Sequence, residues 1–75
     1  MNAQGRKEIA KYIASLNEIK DKLDSMRDDE EEKYDNMPEG LQDSERGEQM
    51  QEAIDALVTA CDSLDEAIDS LNEIQ

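Results

Sequence analysis

Twenty-one of the 75 residues are Asp or Glu, and they stand without the partners that carboxylate chemistry needs. There is no histidine, which removes imidazole acid–base work and the usual zinc sites. The single thiol, Cys61, has no imidazole to activate it as a nucleophile. A di-metal carboxylate bundle adds Glu-x-x-His motifs on facing helices, and this chain has none. The densest acidic run is Asp28-Asp29-Glu30-Glu31-Glu32. It lacks the ligand spacing and central glycine of a calcium loop. Gly5, Gly40 and Gly47 lie too far apart to cradle a phosphate. The residues therefore predict a non-catalytic protein with no cofactor and no bound metal.

What remains is binding through charge. The run Asp28–Glu32 puts five like charges near a helix C-terminus, where they oppose the helix dipole and repel one another. It reads either as a solvated, fraying helix end or as a docking patch for a basic protein surface. Asp55, Asp62 and Asp69, with Glu48, Glu52, Glu66 and Glu73, form further files of acid at helical spacing. Their plain reading is an outer face that keeps a small bundle soluble. A second set, Tyr34, Asn36, Ser44 and Arg46, clusters in a turn and is a candidate ligand-binding group. Arg6, Lys7, Lys11 and Tyr12 cluster at one helix end. Either cluster could hold an anionic nucleotide between protomers, although Arg46 could equally form a salt bridge to the acidic run.

The net charge of −13 disfavours nucleic acid and anionic membranes as partners, because binders of phosphate present a basic face. The imbalance is uneven. Residues 1–33 carry seven Lys/Arg against nine Asp/Glu, whereas residues 34–75 carry Arg46 against twelve acids. The expected partners are a second copy of the chain and a basic protein or, alternatively, a small anionic nucleotide.

The elements follow from a seven-residue apolar rhythm. One half reads Ile9, Tyr12, Leu16, Ile19, Leu23, Met26, with Ile13 widening the stripe. The other reads Met50, Ile54, Leu57, Cys61, Leu64, Ile68, Leu71. Such alternating steps of three and four predict amphipathic helices. Between them, Pro38 pushes Met37 out of helical angles and Gly40 permits positive φ. Asp43 and Ser44 are both suitable N-caps for the second helix. The prediction is an all-α, two-helix antiparallel hairpin with a helix at 3–33, a turn at 34–43 and a helix at 44–74. Tyr34, Met37 and Leu41 are expected to fold back over the open end. Gly47 reads either as a close approach of backbone or as a tolerated helix start.

One hairpin without Phe or Trp buries too little to stand comfortably alone. Ala53, Ala60 and Ala67 recur every seven residues beside the seam and leave room for another helix. Assembly into a four-helix bundle or larger helical oligomer is expected, through Ala53, Leu57, Ala60, Cys61, Leu64, Ala67, Ile68 and Leu71. Cys61 in the stripe reads as a reduced core residue, which suits a cytoplasmic setting. No apolar run approaches the ~18 residues of a membrane span.

The stretch Tyr34-Asp-Asn-Met-Pro-Glu-Gly-Leu-Gln-Asp-Ser-Glu-Arg-Gly-Glu48, followed by Ala53-Ile-Asp-Ala-Leu57, carries a more specific pattern. It resembles small acidic helical proteins of unassigned function encoded by bacteriophages and prophages. The shared pattern is aromatic-x-Asn-x-Pro-Glu-x-Leu-Gln-x-Ser, then an Ala-Ile-Asp-rich helix. The resemblance implies that Tyr34, Asn36, Pro38, Leu41, Ser44 and Arg46 are characteristic positions, and that the setting is a bacterial host. Phage genomes devote many small proteins to disabling host defences, including anti-CRISPR inhibitors and sponges for immune-signalling nucleotides. The resulting expectation is a counter-defence binding protein that docks on a basic host protein. The alternatives are an oligomeric nucleotide sponge and a structural protein with no ligand.

Overall fold

The computed structural model describes all 75 residues, and they form three helices: α1 (Ala3–Asp35), α2 (Glu39–Gln42) and α3 (Glu45–Asn72). α1 starts where the Asn2 side chain accepts a hydrogen bond from the Gly5 N–H at 2.8 Å, satisfying one orphan donor of the first turn. It ends at Asn36, two residues before Pro38. α2 is a single turn, and Gly40 within it is helical with no positive φ anywhere in the chain. The freedom predicted for Gly40 is therefore not used. Ser44, and not Asp43, caps α3: its Oγ accepts from Gly47 N–H at 3.3 Å and donates to the Leu41 carbonyl.

α1 and α3 pack antiparallel into a rod of 58 × 14 × 12 Å. Both ends are tied. Gln42 Nε2 donates to the Tyr34 carbonyl at 2.9 Å, and Gln75 Nε2 donates to the Arg6 carbonyl at 3.0 Å. No helix is long and apolar enough to cross a membrane.

α3 supplies the buried file, Gly47, Ile54, Cys61 and Ile68, every seventh residue. Met50, Leu57, Leu64 and Leu71 flank it, half-buried. On α1 the seam departs from the apolar rhythm. Ile9, Leu16 and Leu23 face α3, but the file beside them is Ile13, Lys20, Arg27 and Tyr34. Tyr12, Ile19 and Met26 instead point outward, 60%, 48% and 58% exposed. Hydropathy alone ranks those three above Lys20 and Arg27. The long basic side chains can nevertheless lay their methylene stems on the seam while the charged ends reach polar groups. Lys20 Nζ meets Asp65 at 2.5 Å, the one ion pair that links the two long helices.

Gly47 is a close approach. A Cβ there would strike the Gln42 carbonyl oxygen, 2.6 Å from its carbon and 2.7 Å from the Leu41 carbonyl oxygen. Tyr34 and Met37 turn in over the end of the rod, while Leu41 is 52% exposed.

Candidate functional site

The turn chemistry builds a groove. α1 stops before Pro38, α2 follows, and Ser44 restarts the chain as α3, so the last turn of α1 and the first turns of α3 meet across the turn. The space between them is an open groove of about 690 Å³. Its floor is Met37, Leu41, Met50 and Ala53, and its polar margin is Lys33, Asn36, Ser44, Arg46 and Glu30. Three of the four candidate ligand residues, Asn36, Ser44 and Arg46, thus come together. Tyr34 does not join them: it faces the seam, and its carbonyl is occupied by Gln42. Lys33 was missed as a member of this group. Its signal was its place seven residues beyond Met26, which puts it on the same side as the exposed Tyr12 file.

Arg46 makes no ion pair, so the salt bridge to the acidic run does not form. Arg27 takes that role from within α1. Its guanidinium lies 3.1 Å from Asp28, 3.9 Å from Asp24 and 3.9 Å from Glu31. The Arg27 Nε is buried without a hydrogen-bond partner. Within the acidic run, Glu30 and Glu31 are half-buried, leaving Asp28, Asp29 and Glu32 as the exposed members. At the other end of the rod, Arg6, Lys7 and Lys11 are exposed and unpaired.

The acids of α3 are segregated. Asp55, Asp62 and Asp69 lie on the sides of α3 turned away from the groove, as do Glu48, Glu52, Glu66 and Glu73 just past its end, and all seven are exposed. The flank toward the groove carries none. It reads Met50, Leu57, Leu64, Leu71, then Ala53, Ala60, Ala67, then Gln49, Ala56, Ser63, Ser70. Of the eight residues expected at an oligomer interface, Cys61 and Ile68 are buried within the hairpin itself and do not belong to that flank.

Cys61 lies in the seam, 5% exposed, with its Sγ 4.0 Å from the Lys20 carbonyl. Burial first, and the neighbouring Asp24 carboxylate second, push its thiol above the ordinary range. The hydrogen bond to Asp65 raises Lys20 above its ordinary value, so it stays protonated at neutral pH. The expected result for the thiol is alkylation by iodoacetamide at pH 8 roughly ten times slower in the folded chain than in denaturant, because the thiolate is the nucleophile. Equal rates in the two states would show that the seam does not shield it.

Compared with known protein families, curated proteins and solved structures, the chain matches none.

Proposed function

We propose that this chain is a non-catalytic binding protein that docks through its acidic surface on a basic protein, and that it is a phage-encoded counter-defence protein of a bacterial host. The observation that carries the docking is the segregation of acid. A 58 Å rod exposes seven carboxylates on the sides of α3 turned away from the groove and at its end, while one ion pair links its two long helices. Charge left uncompensated over that length attracts a basic partner at long range and is screened by salt. The phage setting rests on the resemblance at Tyr34–Glu48.

The test is capture from a bacterial host lysate at low salt, followed by titration of the captured partner. Affinity falls at least about tenfold between roughly 50 and 300 mM salt. It falls again in Asp55→Asn/Asp62→Asn/Asp69→Asn, and in a variant neutralised at Asp28, Asp29 and Glu32. Binding indifferent to salt and to both variants would sink the reading.

The groove favours a second reading, a sponge for an anionic nucleotide, because it gathers Lys33 and Arg46 without a carboxylate bonded to either. Native mass spectrometry of protein from its own host separates the two. A retained adduct of a few hundred daltons, lost in Arg46→Ala and kept when the acids are neutralised, selects the sponge.

A further inference from the structure

We infer that a second copy of this chain seats on the hairpin flank that carries the Tyr12–Ile19–Met26 file of α1 and the Leu57–Leu64–Leu71 file of α3, turn against tail, forming a four-helix bundle about a two-fold axis at the level of Ile19 and Asp62. The flank is one continuous surface. The groove joins Lys33, from the file of Tyr12, Ile19 and Met26, to Met50 and Ala53 of α3. The Lys20–Asp65 pair and a smaller cleft around Val58 and Asp62 lie on the opposite side. The exposed file of α1 and the leucine–alanine flank of α3 therefore face the same way.

Area agrees with that occupant. The chain exposes 5511 Å². A compact protein of its mass exposes about 4,650 Å². The excess is close to the ~800 Å² that each partner of a standard interface buries. A face 58 Å long and 14 Å wide has the dimensions to supply it.

Register decides the orientation. The Cys61 thiol meets the Lys20 carbonyl and the Gln75 amide meets the Arg6 carbonyl, so in both pairs the residue numbers add to 81. Ile19 is then level with Asp62. Turning a copy end for end about that level lays Ile19 on its own counterpart and Tyr12 on Met26. On α3 the same rotation lays Leu57 on Ala67, Leu64 on Ala60, and Leu71 on Ala53. Each leucine meets an alanine, the large-to-small match that lets facing helices interdigitate, and the tyrosine meets a polarisable sulfur. A two-fold contact requires this self-complementarity.

Sedimentation velocity at about 100 µM should give twice the 8.5 kDa chain mass. Ile19→Glu and Ala60→Glu should each return it to a single chain with helical circular dichroism unchanged, since neither residue is buried in the hairpin. In a Cys61→Ala background, Ile19→Cys alone should cross-link to itself with a short bis-maleimide. Tyr12→Cys and Met26→Cys should cross-link only when both are present. A single-chain mass for the parent, or a dimer that survives both glutamates, would overturn the proposal. A dimer in which Ile19→Cys fails to cross-link would overturn its orientation.

Discussion

Gly47→Ala is expected to destabilise the hairpin by about 2–3 kcal/mol, against the direction that helix propensity alone predicts. Within α3, alanine should gain up to about 1 kcal/mol over glycine. The structure opposes that gain because a Cβ at Gly47 would meet backbone: the Gln42 carbonyl group, and the Leu41 oxygen at 2.7 Å. Backbone atoms cannot swing aside as the end of a side chain can. Relief requires α2 to move away from α3. That movement strains the bond from Gln42 to the Tyr34 carbonyl and the Ser44 cap. In a domain of this size the loss corresponds to a melting midpoint roughly 10–20 °C lower. Gly40→Ala is the matched control, because a Cβ there has nothing within 4 Å. It should melt at or slightly above the parent. If Gly47→Ala melts as high as Gly40→Ala, the close packing of α2 on α3 is not what holds the turn.

The second large effect is at Ile54, 4% exposed in the middle of the buried file. Ile54→Ala removes apolar contacts and leaves a cavity, at a cost of about 3 kcal/mol. Four buried residues make a thin core, so that loss should leave much of the population unfolded at 37 °C. The comparison with Ile19→Ala is informative. Ile19 is as apolar but 48% exposed, and within one chain its truncation should cost under about 0.5 kcal/mol. If a second copy covers it, the cost of Ile19→Ala grows with protein concentration, because association stabilises only the folded form. Thermal melts across a hundredfold dilution read both. Ile54→Ala melts low at every concentration, and Ile19→Ala approaches the parent on dilution. Equal midpoints for the two variants at every concentration would contradict the assignment of Ile54 to the seam and Ile19 to the open flank.

The candidate site was only partly legible from the residues in order. Asn36, Ser44 and Arg46 could be grouped because they lie within one turn, and short-range chain geometry keeps them together. Tyr34 belonged to the same stretch, yet a helix still intact at Asp35 carries it round to the seam. Lys33 was overlooked for the complementary reason: it lies on a helix, and only the helical phase brings it to the groove beside Arg46. The division of the acidic run was not legible either. Five consecutive acids look alike in order, but a helix distributes them around its axis. Arg27 then bonds to Asp28 and approaches Glu31, both on its own helix.

By itself the sequence determined two long helices, their antiparallel return at Pro38 and the buried face of α3. Periodicity and turn chemistry act within a few residues and need no partner to be read. Only the tertiary structure decided which side of α1 goes inward. Ile9, Leu16 and Leu23 lie between two candidate files, and both could complete a seam with α3. The tied turn and the reach of Lys20 to Asp65 select the file of Ile13, Lys20, Arg27 and Tyr34. That choice leaves Tyr12, Ile19 and Met26 in the open. A single partner helix covers only one side of another, so the wider stripe on α1 could not all be buried within one chain.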